Sequence, residues 1–448
     1  MKKLIAICGL ISCILLSGIM MPMDAQAETY WPDDVSVESA SAIVMDADTG
    51  TVLYEKKADT KRYPASITKI MTALLAIENG NLEDTVTFSS DAVYKTEGSS
   101  IMRDVGEELT LEQCLYGMML ESANDCAYAI AEHVGGDYDT FIKMMNDKAT
   151  ELGCTGTHFV NPNGLPDEDH YVTARDMALI AKAAYQNETF RIITGTTEYK
   201  LPATNKHDEA LTMHNHHAMI YPYHTSAYLT DYCTGGKTGY TIAAGSTLVT
   251  YAEKDGMSLI VVVLKAQTPA HYTDTIKLCN YCFDNFQILN VSENETTEDI
   301  SEIAGNFNTN EEYLEIDPDA TVIVPKTVSF SDLTRTVDTD CETSEIAGKL
   351  VYSYGDKEVG SALVQLTGAQ IEEFEFNDGV QSSDSSSSED SQLFRSQINW
   401  PLLIIIIAVI VVVLIIVLYI LRNGLPKKKK KSIIIKDNYR KKRRGRRR

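Results

Sequence analysis

The sequence lacks the regular cysteine spacing of a disulfide-stapled protein. Nine cysteines occur in 448 residues, and those that follow residue 27 form an odd, scattered set rather than a framework of pairs. Cys279 and Cys282 are closely spaced, but no second cysteine pair accompanies them and they fall in a helical apolar pattern. We therefore expect this pair to be buried in the core rather than to bind a metal or carry redox chemistry.

A template for binding a metal is missing as well. Histidines crowd one stretch of the chain, but their spacing matches neither the H-E-x-x-H pattern nor a Cys/His zinc pattern. We expect these histidines to lie in surface loops, and we predict neither a metal nor any other cofactor. They are His207, His214, His216, His217 and His224.

Basic residues are scarce outside the C-terminal end. The formal net charge is −23, yet residues 422–448 contain 15 lysines and arginines against one aspartate. An acidic body with a basic tail suggests two compartments rather than a surface for nucleic acid. We therefore predict no nucleic-acid partner.

The N-terminal end has the pattern of a secretory signal. Two lysines at positions 2 and 3 are followed by an almost uninterrupted run of apolar or small residues to Met21, and residues 25–27 read Ala-Gln-Ala. A positive start, an apolar centre and a small-x-small site are typical of a cleaved leader. We predict a signal peptide at residues 1–27; the alternative is an uncleaved anchor helix.

A long apolar run lies near the other end. Residues 402–421 are twenty consecutive apolar residues, which as a helix would span ~30 Å, the thickness of the hydrocarbon core. We predict a transmembrane helix at 400–421 and a basic cytoplasmic tail at 422–448, with the body outside, because positive flanks stay cytoplasmic. A buried soluble helix is the alternative, but no face of the run is polar.

Between these segments the chain divides into three stretches. Residues 28–290 begin with strands, continue with amphipathic helices and return to β-rich runs. This order is typical of the α+β class, with an antiparallel sheet whose outer strands come from distant parts of the sequence. Residues 291–375 contain short β-type runs and predict a small β domain. Residues 376–399 are rich in serine and acidic residues and predict a solvated spacer.

The residue pattern also predicts individual elements. A β-hairpin is expected from residues 42–46 and 51–55 around Asp48-Thr49-Gly50. Helices are expected at 67–78, 111–120, 126–133, 138–152, 174–185 and 272–286, and strands at 247–252, 258–264, 320–324, 349–354 and 361–366.

Ser66-Ile67-Thr68-Lys69 stands at the start of the first predicted helix. The i, i+3 spacing places Ser66 and Lys69 on one helical face. Free backbone N–H groups at a helix start favour an oxyanion formed at Ser66. A lysine packed beneath that start loses affinity for its proton and can accept one from the hydroxyl. By itself the motif occurs by chance in a chain of this length, and a capping serine followed by a solvated lysine is its usual meaning.

Two further motifs follow in the chain. Ser122-Ala123-Asn124 lies between two predicted helices, where a loop presents both polar side chains. Lys237-Thr238-Gly239 leads into the β-rich end, and a strand there offers a cation, a hydroxyl and an unobstructed edge for a carboxylate and an added peptide strand. Ser-x-x-Lys, Ser-x-Asn and Lys-Thr-Gly in this order are the motif set of β-lactamases and penicillin-binding proteins.

The chain resembles the low-molecular-mass penicillin-binding proteins, and specifically the serine-type D-alanyl-D-alanine carboxypeptidases of the peptidase S11 family. The likeness implies the penicillin-binding/β-lactamase-like transpeptidase fold, an antiparallel sheet flanked by helices, followed here by the small β domain and the transmembrane helix. It extends beyond the three motifs to the segments Phe159–Leu165, Thr173–Ala178 and Lys237–Thr241, with Ala244-Gly245 after the last.

The resemblance implies a reaction. Ser66 would attack the carbonyl of the terminal D-Ala–D-Ala bond of the peptidoglycan stem pentapeptide, with Lys69 as general base. Ser122 and Asn124 would relay the proton of the leaving group and hold the substrate amide. β-lactam antibiotics would acylate the same serine, and the activity would trim cross-linking of the cell wall and influence cell shape.

The resemblance also implies how the substrate binds. The terminal carboxylate would bind Lys237 and Thr238 beside Gly239. The backbone N–H groups of Ser66 and Tyr240 would form the oxyanion hole.

Two features depart from the family's pattern. Where the family often shows Asn-x-Asn, this chain reads His214-Asn215-His216-His217, and the transmembrane anchor replaces an amphipathic C-terminal helix. A β-lactamase remains an alternative, although no separate glutamate motif supplies a base for hydrolysing the acyl-enzyme. A non-catalytic penicillin-binding module is the other, although all four polar side chains expected in the centre are present.

Overall fold

The computed structural model describes residues 31–33, 35–295, 314–338 and 346–366. All of them belong to one compact unit that extends to Ile371. No helix within these ranges has the length and apolar character needed to cross a membrane. The predicted signal peptide, acidic spacer, transmembrane helix and basic tail lie outside the described residues.

In its described part the chain forms helices, two larger sheets and two short two-stranded sheets. The α-helices are α1 (Lys69–Asn79), α2 (Ser90–Tyr94), α3 (Leu111–Leu120), α4 (Asn124–Gly135), α5 (Tyr138–Glu151), α6 (Ala174–Tyr185), α7 (Glu188–Gly195) and α8 (Ala270–Asn285). The strands are β1 (Ser41–Asp46), β2 (Val52–Lys56), β3 (Thr85–Thr87), β4 (Glu108–Thr110), β5 (Glu198–Leu201), β6 (Leu211–His214), β7 (Cys233–Thr241), β8 (Gly245–Lys254), β9 (Met257–Ala266), β10 (Phe286–Asn290), β11 (Leu314–Ile316), β12 (Thr321–Pro325), β13 (Thr334–Asp338), β14 (Ile346–Tyr354) and β15 (Lys357–Leu366).

The central sheet has the strand order β2-β1-β9-β8-β7, and every neighbouring pair is antiparallel. The N-terminal hairpin therefore joins strands from much later in the chain, and Val44 of β1 pairs with Val261 of β9. This confirms the predicted antiparallel sheet with strands from distant parts of the sequence.

Helices cover both faces of this sheet because its central strands are apolar on both sides. Ile260 and Val262 of β9 belong to the core cluster that contains α1, whereas Val261 and Val263 pack in the cluster that contains α8. A strand buried on both faces reads as a continuous apolar run rather than as an alternation. Consequently α1 is central, and its first residue, Lys69, lies inside the core.

The first predicted helix differs in detail from the observed one. The observed helix begins as a 3₁₀ turn, Ala65–Thr68, and continues as α1. By contrast, α3 and α6 have the predicted bounds, because Thr110 and Thr173 cap their first turns through side-chain hydrogen bonds. The elements absent from the prediction are short ones, which contain too few residues to show a period. They are α2, α7, β3 to β6, β10, β11 and β13.

A second sheet follows, with the order β10-β12-β15-β14-β13 and with β11 paired to β15. Its core is formed by apolar residues such as Val322, Leu350 and Val364. The sheet already begins at Phe286, directly after α8 and inside the range that the sequence assigned to the first domain. The Phe286 ring packs on Trp31 and shares an apolar cluster with Ile323 of β12, so the two sheets share buried surface.

Candidate active site

Ser66 lies in the 3₁₀ turn that leads into α1. Ala65 before it has a positive φ of 52°, and the turn is held from two sides. Thr247 of β8 donates a hydrogen bond to the Pro64 carbonyl oxygen at 2.7 Å. Gly164 passes so close that a Cβ on it would lie 1.8 Å from the Ala65 carbonyl oxygen. Packing therefore holds the backbone before Ser66 in a strained conformation, where the sequence predicted an ordinary helical turn.

The side-chain amine of Lys69 is fully buried. Its Nζ lies 3.1 Å from Ser66 Oγ, 2.6 Å from Asn124 Oδ1 and 2.7 Å from the Asn163 carbonyl oxygen, all within hydrogen-bond distance. Burial lowers the pKa of this amine well below its ordinary value, and the positive charge of Lys237 lowers it further. In its neutral form the amine has a lone pair that can accept the Ser66 hydroxyl proton.

The loop between α3 and α4 presents Ser122 and Asn124. Ser122 has a positive φ of 59°, and its side chain lines the same cleft as Ser66. Asn124 is the first residue of α4; its Oδ1 accepts from Lys69 and its Nδ2 donates to the Glu97 carbonyl oxygen. Because both ends of the amide are engaged, its oxygen is fixed toward the lysine.

The third motif lies on the outer edge of the central sheet. β7 is the last strand in the sheet order, so the N–H and C=O groups along its outer edge can accept an added strand. A Cβ on Gly239 would lie 2.8 Å from the Ser66 backbone nitrogen. A residue without a side chain is therefore required for β7 to approach the serine this closely.

Lys237 is nearly as deeply buried as Lys69. Its Nζ donates to the Thr238 carbonyl oxygen at 3.0 Å. Burial lowers the pKa of the Lys237 amine to about 7, and the negative charge of Glu121 opposes the decrease. The Lys237 amine is therefore partly neutral near pH 7, and a carboxylate bound beside it would favour the protonated form.

One cleft of about 370 Å³ brings the motifs together. The motif residues that line it are Ser66, Ser122, Thr238, Gly239 and Tyr240. Lys69, Asn124 and Lys237 are buried behind them. A larger surface cleft of about 480 Å³ beside Trp31 and Lys357 contains no serine and base pair, so size alone does not identify the site.

Six further residues line this cleft, and of these the sequence had singled out only His216, as part of the segment that replaces Asn-x-Asn. They come from loops, from the start of β8 and from the first turn of α8, and only the fold brings them to the motifs. They are Ser99, His216, Ser246, Thr268, His271 and Tyr272.

The histidine-rich stretch packs against this cleft, which corrects the prediction that these histidines lie in surface loops. His216 lines the cleft, and its Nε2 pairs with Glu121 Oε2 at 3.0 Å. His217 is buried, lies 2.9 Å from Thr250 Oγ1 and has its pKa lowered by burial to about 3. Of the five histidines named from the sequence, His224 alone is exposed. His216 and His217 closely follow strand β6, which packs on α3.

A buried histidine supports the first motif from behind. His170 Nε2 lies 2.9 Å from Thr68 Oγ1, and its Nδ1 accepts a hydrogen bond from the Val160 backbone N–H at 3.1 Å. Burial lowers the pKa of His170 to about 4, so the ring is neutral and Nε2 carries the proton donated to Thr68. This ring ties the segment after α5 to the turn that holds the serine.

The arrangement contains the parts of nucleophilic acyl transfer. A hydroxyl meets an amine that burial drives toward its neutral form, and an open strand edge runs beside both. Within the described ranges no group of three or more His, Cys, Asp and Glu side chains is placed to hold a metal ion. The short distance between Lys69 Nζ and Ser66 Oγ makes these two side chains the candidate reacting groups.

Known proteins share this sequence and architecture. The sequence model described as D-alanyl-D-alanine carboxypeptidase matches residues 26–268. The chain is 36% identical over 284 residues to D-alanyl-D-alanine carboxypeptidase DacF of Bacillus subtilis, covering 61% of this chain and 70% of that protein. It is 36% identical over 262 residues to D-alanyl-D-alanine carboxypeptidase of Streptomyces sp. (strain K15), covering 55% and 88%. The crystal structure of the Streptomyces K15 DD-transpeptidase aligns with a TM-score of 0.52 at 34% identity, covering 56% of this chain and 100% of that one.

Proposed function

This chain belongs to the D-alanyl-D-alanine carboxypeptidase family, and we propose that its reaction proceeds through an acyl-enzyme on Ser66. It is a serine-type hydrolase that removes the terminal D-alanine from peptidoglycan stem pentapeptides. One observation carries the mechanism: the fully buried Lys69 Nζ lies 3.1 Å from Ser66 Oγ, at the foot of a cleft edged by β7.

In the first half of the reaction the peptide lies along the free edge of β7 as an added strand. Its terminal carboxylate lies toward Lys237 and Thr238. Ser66 Oγ attacks the carbonyl carbon of the penultimate residue while its proton passes to the Lys69 amine. The backbone N–H groups of Ser66 and Tyr240 donate to the oxygen that becomes negative, a contribution of ~3 kcal/mol for each donor.

In the second half the C–N bond breaks and an ester on Ser66 remains. The leaving D-alanine amine takes the proton from Lys69 through the Ser122 hydroxyl, and Asn124 keeps the lysine in place. Water then attacks the ester, its proton passes to the neutral Lys69 amine, and the Ser66 oxygen recovers a proton as the shortened peptide leaves. Each cycle consumes one water and leaves both side chains in their starting state.

β-lactams are acylating inhibitors in this scheme because they present a strained amide to Ser66 in the same cleft. A β-lactamase would hydrolyse the resulting ester rapidly. With nitrocefin we expect about one equivalent of acylation followed by slow turnover, and rapid sustained hydrolysis would contradict the carboxypeptidase assignment.

The enzyme acts, in our proposal, on the outer face of the cell membrane, with the helix at 400–421 as anchor and the tail at 422–448 in the cytoplasm. The apolar length and the basic flank of these segments support it. In wall-stripped cells, external protease should remove the catalytic unit while a tag on the C-terminus stays protected. Loss of the tag signal without lysis would contradict this orientation.

The central experiment measures D-alanine release from a stem pentapeptide by the full chain in detergent. Ser66→Ala and Lys69→Ala should each abolish release and acylation by a fluorescent penicillin. Ser292→Ala and Lys143→Ala, at exposed positions away from the cleft, are the matched controls and should retain both. Release by Ser66→Ala at the level of the unaltered chain would refute the mechanism.

A further inference from the structure

His271 lies on the wall of the cleft and takes no part in the mechanism described so far. It stands in the first turn of α8 and lines the cleft with Thr238, Ser246 and Thr268. Only 7% of its surface is exposed. A deeply buried imidazole at the edge of a substrate cleft needs either an internal partner or a ligand.

Strand register places His271 beside the carboxylate end of the site. Thr238 and Tyr240 pair across the sheet with Leu248 and Ser246, so these four side chains share one face. This is the face that α8 covers, because Leu248 and Leu278 of α8 lie in one apolar cluster.

A hydroxyl pair connects that face to α8. Ser246 Oγ lies 2.7 Å from Thr268 Oγ1, in the segment that enters α8 just before His271. The imidazole and the Thr238 hydroxyl therefore approach the cleft from the same side of the sheet.

The hydrogen-bonding capacity of His271 is not satisfied within the described residues. Its Nδ1 is buried and has no partner there, and its ring packs on Tyr272 with centroids 4.1 Å apart. The acid on its own helix, Asp274, accepts hydrogen bonds from Ser39 Oγ and the Ser39 backbone N–H instead. With Nδ1 enclosed, Nε2 is the ring nitrogen that remains for a ligand in the cleft.

We propose that His271 is the proton-linked partner of the substrate's terminal carboxylate, neutral in the free enzyme and protonated when the carboxylate is bound. The inference rests on the proposed function, because it names a further residue that recognises the same substrate. The added proton comes from bulk water, and no covalent bond changes. A histidine in this position makes carboxylate recognition depend on pH, which a permanently charged arginine would not do.

The electrostatic surroundings favour this switch. Burial lowers the pKa of His271 to about 4, and the Asp274 charge only partly opposes the decrease. His217, whose own pKa is lowered to about 3 by burial and then by His271, is uncharged beside it, and Lys237, with a pKa of about 7, is positive below neutrality and acts on His217. The Tyr272 hydroxyl keeps its proton. A bound carboxylate would counter these effects and raise the pKa of His271.

The kinetic test compares two peptides that differ only at the C-terminus, one with a free D-alanine carboxylate and one with the amide. His271→Asn should lower kcat/KM for the carboxylate peptide about 10- to 100-fold and leave the amide peptide nearly unchanged. His271→Arg should restore the preference for the carboxylate. His133→Asn, in the last turn of α4, is the matched histidine control and should match the unaltered chain.

The pH dependence of the preference for the carboxylate peptide distinguishes a contact that depends on protonation of His271 from a contact whose charge is fixed. Between about pH 5 and 6 the substrate carboxylate stays ionised and Lys237, with its pKa of about 7, is almost fully protonated. The ratio of kcat/KM values for the two peptides should therefore rise as the pH falls in the unaltered chain and stay flat in His271→Arg. Equal profiles in the two proteins, or an equal loss on both peptides in His271→Asn, would overturn the proposal.

Proton uptake can be measured directly by calorimetry on the full-length Ser66→Ala chain with the carboxylate peptide. At about pH 5.5, in two buffers of different ionisation enthalpy, binding should take up between about half and one proton, and none after His271→Arg. Absence of proton uptake in the Ser66→Ala chain both with His271 and with His271→Arg would also overturn the proposal. An unaltered chain that released no D-alanine would instead refute the proposed function, so the two failures are distinguishable.

Discussion

At the scale of single residues, the proposed mechanism requires opposite protonation states of two buried lysines. Lys69 must be neutral to accept the Ser66 proton, and both burial and the charge of Lys237 lower its pKa. Lys237 must be charged to hold a carboxylate, and its pKa of about 7 leaves it only partly protonated in the free enzyme at neutral pH. The charge of Lys237 lowers the pKa of Lys69, so the ionisation of Lys237 influences that of Lys69.

The first prediction concerns the pH profile of D-alanine release. Because kcat/KM reports ionisations of the free enzyme, activity should fall on the acid side as Lys69 gains its proton and on the alkaline side, near pH 7, as Lys237 loses its own. Lys237→Arg should move the alkaline limb upward, because arginine stays charged. An alkaline limb that does not move would contradict this role of Lys237.

The second prediction concerns stability at Asp46, which ends β1. Its Oδ1 accepts hydrogen bonds from the N–H and Oγ1 of Thr49, whereas Oδ2 is buried without a partner among the described residues. Burial raises its pKa from 3.8 to about 6. The folded state therefore binds more protons than the unfolded state between these values, and stability falls as the pH rises through them.

Asp46→Asn should remove this loss, because the amide keeps the Oδ1 acceptor without the charge. We expect the variant to gain about 2 kcal/mol in free energy of unfolding at pH 7 relative to pH 4, when both proteins are compared by urea titration. Thr49→Val is the opposite comparison, because it removes a hydroxyl whose hydrogen bond lowers the pKa of Asp46, and it should keep or deepen the loss of stability with rising pH. If the difference in free energy of unfolding between Asp46→Asn and the unaltered chain did not vary with pH, the raised pKa of Asp46 would be contradicted.

At the scale of elements, the site is formed where a 3₁₀ turn, the start of α4 and an edge strand converge. The position of each element is determined by contacts with residues that are distant in the sequence. β8 holds the turn through the hydrogen bond from Thr247, and the segment before α6 supports it through His170. Local propensity alone would continue α1 as a regular helix through Ser66, so the unusual backbone there is a product of packing.

The third prediction tests the close approach of β7 to the serine. A Cβ on Gly239 would lie 2.4 Å from Thr247 Oγ1 and 2.8 Å from the Ser66 backbone nitrogen. Gly239→Ala should therefore push β7 outward and lower acylation by penicillin at least ~100-fold, since a displacement of about 1 Å at a reacting centre has such an effect. The double variant with Thr247→Ala relieves only the first clash and should stay inactive, and its recovery would show that the contact with Ser66 is unimportant.

At the scale of the whole molecule, the catalytic sheet and the second sheet are consecutive and share an apolar contact. Helix α8 covers the catalytic sheet and passes directly into β10, and Phe286 at this junction is 1% exposed. Its ring contacts Trp31 from the N-terminal segment and Tyr281 from α8. The second sheet can therefore contribute to the stability of the catalytic one.

The fourth prediction follows from this shared contact. Phe286→Ala should lower the free energy of unfolding by about 3–5 kcal/mol, and penicillin binding should be lost together with the second sheet's signal in one transition. Phe330→Ala, in a 3₁₀ turn that packs on the core of the second sheet and only partly buried, should have a smaller effect. Two separate transitions in the unaltered chain would contradict the coupling.

The sequence by itself determined the family and its reaction, and it supplied the candidate reacting groups. Ser66, Lys69, Ser122, Asn124 and the Lys237–Tyr240 segment are short local patterns, and their residue types and order are readable without coordinates. The bounds of α3 and α6 were equally local, because the capping residues and the apolar period stand within one turn of each other.

Only the tertiary structure decided the surroundings of that serine. The positive φ at Ala65 and the inward placement of His216 and His217 depend on packing between segments that the sequence separates widely. The same holds for the buried His271 on the cleft wall. Local patterns cannot specify such contacts, because each is the net result of burial and hydrogen bonding across the whole core. The Ser66 and Lys69 pair is thus a sequence feature, whereas the lowered pKa of Lys69 comes from its burial in the folded core.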